Sequence, residues 1–157
     1  MTRDQLMDAY KEALRTYEDA YREWSPKAFN NYAEYERDQN GIYRLQKEAD
    51  KAKRTLLKFD KTEAAKGEPI FVTWKRYGFR HIVAHEAEPI PGDYHGHSYS
   101  IIRGTAFCGN GYWFMPPEEA DDEIWWLQNA IDPRSTDRPL CGTCRNHWKR
   151  LTGTVLA

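Results

Sequence analysis

The chain has 157 residues, a formal net charge of −1, 40% hydrophobic and 30% charged residues, which bounds it to about one domain, or one domain with an appendage. The near-zero charge removes any global electrostatic argument for nucleic acid. No apolar run approaches the 18 residues of a membrane span, and Met1-Thr2-Arg3-Asp4-Gln5 contains no apolar signal segment, so a cytoplasmic, non-secreted protein is expected. Six Trp, ten Tyr and six Phe are more than so small a core needs, which points to an interface.

Thr2 followed by Gln5 is a capping box and predicts a helix from the start. Leu6, Tyr10, Ala13, Tyr17, Ala20 and Trp24 then recur at steps of three and four, a heptad seam. Ser25-Pro26 punctuates the chain. A second helix is predicted over about 26–66, with Gly41 as a candidate break. Its stripe is Tyr35, Ile42, Leu45, Ala49, Ala52, Leu56 and Phe59, and Gly67 and Pro69 end it. A seam of Tyr and Ala is weaker than one of Leu and Ile, so the pair reads as a helical hairpin or a partner interface. Residues 44–66 hold eight Lys or Arg and four Asp or Glu, a solvated face or a surface for phosphates.

The pattern changes at Pro69. Strands are predicted at 70–74 and 79–83, a loop at 89–93, and a hairpin of 97–102 with 105–108 turning at Arg103-Gly104. Pro116-Pro117-Glu118-Glu119 opens a helix bearing Ile124, Trp125, Trp126, Leu127 and Ile131. The two Trp should occupy different environments, one in the core and one exposed as a partner anchor. A last helix follows Cys141 and runs to Gly153. The fold class is thus α+β, a helical hairpin over 1–67 and a small β-hairpin and helix domain over 68–157.

Three cysteines make no secreted disulfide framework. Cys141-Gly142-Thr143-Cys144 has the spacing at which two thiolates bind one Zn²⁺ from a tight knuckle, and Cys108-Gly109 at a strand end supplies a third. The fourth ligand is expected from a histidine. His97 is the choice, on the strand expected to pair with the one carrying Cys108; His147, three residues after Cys144, is the alternative. His95 shares a strand face with His97. His81 and His85 read as sheet or loop positions without chemistry. Such a centre is structural zinc, closed to substrate.

His97, Thr105-Ala106-Phe107-Cys108-Gly109 and Cys141-Gly142-Thr143-Cys144 together resemble a short zinc-finger pattern of small proteins of actinobacteria and their phages. The arrangement is similar to a treble clef. The resemblance covers residues 97–147, and 32 residues between Cys108 and Cys141 depart from its compact form.

Three functions follow. The first is a non-enzymatic, zinc-stabilised binding protein, a phage or bacterial regulator or inhibitor that engages a larger protein machine through its aromatic helices. The second is nucleic-acid binding through Lys51, Arg54, Lys58, Arg134, Arg138, Arg145, Lys149 and Arg150, opposed by acids at Glu118, Glu119, Asp121, Asp122 and Glu123. The third is a metal-dependent hydrolase or nuclease drawing on His85, Glu86, His95 and His97. No H-E-x-x-H, H-x-E with P-C-x-x-C, or His-Asn-His pattern supports it.

Overall fold

The structure, a computed structural model, describes residues 1–24, 31–73, 78–94, 97–114, 134 and 137–157. It is α+β: two long helices, a small antiparallel sheet and a C-terminal helix. No helix among the described residues is long and apolar enough to cross a membrane.

Helix α1 spans Arg3–Trp24. Its start is the capping box read from sequence: the Thr2 backbone N–H donates to Gln5 Oε1 at 2.8 Å, and the Gln5 N–H to Thr2 Oγ1 at 3.3 Å. These bonds satisfy amides that the first turn leaves without intrahelical partners. Helix α2 spans Tyr32–Ala64, later than the expected start near Pro26. Asn31 caps it, its Oδ1 accepting from the Glu34 N–H at 2.9 Å. The helix passes through Gly41 without a break. A lone interior glycine costs about 1 kcal/mol relative to alanine, too little to stop a helix of this length.

Two compact units make up the chain, Met1–Phe59 and Asp60–Ala157. In the first, Leu6, Ala49 and Leu56 are buried, all members of the predicted stripes. The last turn of α2, from Asp60, belongs to the second unit, where Lys61 meets His147.

The second unit is organised on one strand. β4 (His97–Ala106) pairs antiparallel with β2 (His81–Glu86), β3 (Ile90–Tyr94) and β5 (Gly111–Phe114), while β1 (Phe71–Val72) pairs with β2. Thr105 of β4 stands opposite both His85 and Gly111, so β2 and β5 flank its C-terminal half. β2 buries Ile82, Val83 and Ala84 in succession. Strict alternation is lost because the register shifts between Val83 and His85, and a bulge turns successive side chains to new faces. Val72, Val83, Tyr112 and Phe114 form a core cluster, with Ile102 packed against it.

Two local expectations are corrected. The loop expected at 89–93 is largely strand β3; Pro91 lies opposite Ser100, and proline is tolerated in a strand where no ladder donor is required. Arg103-Gly104 is not a turn, because β4 runs unbroken through it. Gly104 is instead a close-packing site. A Cβ there would collide with the Tyr112 ring and lie 2.7 Å from the His85 carbonyl oxygen. The hairpin turns further on, where Gly109, five residues after Gly104, adopts φ 92, a conformation that glycine accepts without steric cost. The predicted helix with Trp125 and Trp126 lies outside the described residues, as does His95. The final helix, α3 (Gly142–Thr152), forms as expected and ends at Gly153 with φ 77.

Candidate metal centre

Each of three strand and helix junctions brings a ligand to one point. At the first, β4 leads into a tight turn before β5: the Ala106 N–H donates to Asn110 O at 2.9 Å and the Gly109 N–H to Ala106 O at 2.8 Å. Cys108 occupies this knuckle. At the second, His81 opens β2 beside it, since the Phe107 N–H donates to Ile82 O at 2.8 Å. At the third, residues 139–141 run parallel to Arg80. The Arg80 N–H donates to Pro139 O at 3.0 Å and the Cys141 N–H to Arg80 O at 2.9 Å. Those two bonds bring Cys141, the N-cap of α3, next to His81. Cys144 follows in the first turn of α3, 0% exposed.

The ligand atoms of His81, Cys108, Cys141 and Cys144 all lie within 4.8 Å of one another, close enough to hold one metal ion. His81 Nδ1 is 3.4 Å from Cys108 Sγ and 3.7 Å from Cys144 Sγ. None of the three cysteines is in a disulfide.

The electrostatics are those of a site short of positive charge. The Cys108 thiol is pulled below its ordinary value, first by the hydrogen bond with Cys144 and further by His81 and the Asn110 backbone, against the opposing effect of burial. Cys144 is pushed up by the same hydrogen bond with Cys108 and by its own burial. The two shifts run in opposite directions because the two sulfurs face each other with no cation between them. A cation at the centre would allow every thiol to ionise, because thiolate, not thiol, is the metal ligand.

The neighbourhood is built from the elements that carry the ligands. Trp148, one turn beyond Cys144 on α3, is buried and its ring lies 5.5 Å from that of Phe107, beside Cys108. His147 Nδ1 is 2.8 Å from the Phe107 carbonyl oxygen, which can only accept, so Nδ1 carries a proton and donates it there.

The three cysteines expected from sequence are thus brought together, whereas the histidine is His81, which sequence reasoning had set aside as a plain strand position. His97 opens β4 opposite Tyr94. It stands nine residues before Ala106, roughly 30 Å along an extended strand. His147 is engaged with Phe107 and is not part of the cluster. The signal for His81 is a pairing partner, since it begins the strand hydrogen-bonded to the Cys108 knuckle. Nothing local in the sequence specifies that pairing.

Two residues considered for other chemistry have structural partners. Glu86 accepts from Tyr112 Oη at 2.7 Å and from Arg134 Nη2 at 2.7 and 2.9 Å. Arg134 also donates to Phe71 O at 3.3 Å and lies over the Phe114 ring at 5.1 Å. Each thus has a structural role in joining β2, β5 and residue 134. No family model, curated protein or solved structure matches the chain.

Proposed function

We propose that the chain is a non-enzymatic binding protein whose second unit is stabilised by one zinc ion on His81, Cys108, Cys141 and Cys144. The observation that carries this is the convergence of three thiols and one imidazole from three separate elements onto one point. Zinc bonded tetrahedrally at about 2.3 Å to sulfur and about 2.0 Å to nitrogen implies sulfur–nitrogen edges of about 3.5 Å. The two edges at 3.4 and 3.7 Å bracket that value. Four protein ligands fill the tetrahedron and leave no position for substrate, which favours a structural role.

The binding partner is a protein, engaged by the aromatic row of the first unit. Tyr17, Tyr21, Trp24, Tyr35 and Tyr32 follow one another with ring centroids 5.8–6.3 Å apart. Tyr21 is 47% and Tyr32 75% exposed. Stiff aromatic side chains give large contact area at small entropy cost, the usual composition of interface anchors. A regulator or inhibitor of a larger assembly fits a small chain of this kind. The nucleic-acid reading retains one observation, that Lys51, Arg54 and Lys58 on α2 and Arg145, Lys149 and Arg150 on α3 are exposed.

Cobalt substitution tests the zinc reading. Co²⁺ titrated into metal-stripped protein should give the intense visible bands and sulfur charge transfer of a four-coordinate thiolate site, displaced by one equivalent of Zn²⁺. A weak octahedral spectrum would refute it.

A further inference from the structure

Lys61 belongs to the last turn of α2, and its Nζ lies 3.2 Å from His147 Nδ1. That contact is not a lysine-to-histidine hydrogen bond, because Nδ1 carries the proton given to Phe107 O at 2.8 Å and an ammonium has no lone pair to accept one. Among the described residues no carboxylate pairs with Lys61. It stands beside residues adjoining two ligands, with Phe107 next to Cys108 in sequence and His147 one helical turn beyond Cys144. Lys61 is partly buried, where a charge is favoured by a nearby charge of opposite sign.

The partner is supplied by the centre. Three thiolates and a neutral imidazole around a dication carry a net charge of −1, and in a partly desolvated place that excess is uncomfortable without a nearby cation. The charges acting on Lys61 agree: burial lowers its pKa most, Arg150 also lowers it, and the Cys144 and Cys108 sulfurs raise it. We propose that Lys61 is the counter-cation of the Cys₃His centre, a positioning residue that strengthens metal binding without ligating the metal and fastens the last turn of α2 to the metal site. This deepens the zinc reading and rests on it.

The test is zinc affinity by competition with a chromophoric chelator, on full-length protein. Lys61→Met, which keeps the aliphatic stem and removes the charge, should weaken zinc binding about tenfold, the lower range for loss of an outer-shell partner. Lys61→Arg should stay within about threefold of wild type, and Lys61→Glu should be weaker than Lys61→Met. Lys66→Met removes a cation that is exposed and paired with Glu63, and should change nothing. A purely structural stem would be spared in Lys61→Met and would not sort the variants by charge. Equal affinities for wild type, Lys61→Met and Lys61→Glu overturn the inference. Should Lys61→Met fail to fold, Lys61→Arg against Lys61→Gln carries the same comparison. Wild-type protein that takes up no zinc refutes the zinc reading itself, so the two failures are distinct.

Discussion

His81 Nδ1 and Cys108 Sγ lie 3.4 Å apart although 27 residues separate them in sequence. The contact exists because β2 and β4 are hydrogen-bonded neighbours, with the Phe107 N–H on Ile82 O. Replacing His81 with Ala should reduce zinc affinity by at least a hundredfold and lower the melting temperature of the second unit, since metal binding and folding are linked. His97→Ala should bind zinc as wild type does. Chelator competition on the two variants decides between the histidines.

The contrast between these residues shows what the sequence carries. Local signals were legible: the Thr2–Gln5 box, Gly153 after α3, and Cys141-x-x-Cys144 at a helix start are short-range patterns with fixed geometry. The start of α2 was misplaced because proline suits the first turn of a helix and Pro26 offered that signal, whereas the cap is the side chain of Asn31. The histidine of the cluster was not legible. Strand order depends on which apolar faces pack together, and no spacing rule encodes that His81 meets Cys108.

Gly104 gives a second case of long-range packing mistaken for turn chemistry. Gly104→Ala would push a methyl group into Tyr112 and the His85 carbonyl. We expect a loss of about 2–3 kcal/mol, the scale of overpacking a tight site, measured by urea denaturation of zinc-loaded protein. A change under about 0.5 kcal/mol would show that Tyr112 can move aside.

Tyr112 makes the protein sensitive to alkali. Burial raises its hydroxyl above the ordinary value of 10.0, and the hydrogen bond to Glu86 and the charge of that carboxylate raise it further. Below pH 10 both folded and unfolded states keep the proton, so stability should be flat on this account. Above it the unfolded chain releases a proton that the folded chain retains, and stability should fall as pH rises. Tyr112→Phe should lose about 1.5–3 kcal/mol at neutral pH, as for a hydrogen bond to a charged group. The variant should also show a shallower alkaline decline in pH-dependent melting curves.

The aromatic row of the first unit should bind without being needed for folding. Tyr21→Ala with Tyr32→Ala should leave thermal stability within about 0.5 kcal/mol, as expected for exposed positions. Capture of the protein partner should weaken by about 2 kcal/mol or more. Full retention of the partner would remove this surface from the account. A charge-reversed Lys51→Glu, Arg54→Glu, Lys58→Glu protein should bind that partner normally. Salt-sensitive retention of wild type on heparin, abolished in this variant, would favour nucleic acid instead.

The central claim is one zinc ion held by three thiolates and His81. Native mass spectrometry of the purified full-length chain reads it directly, because the mass reports both the metal and the protons it displaces. The account predicts one zinc per chain, with three fewer protons than the metal-free, thiol-protonated protein, and loss of the ion in Cys144→Ser. A folded, metal-free chain whose melting curve is unchanged by added zinc or by chelator would contradict it.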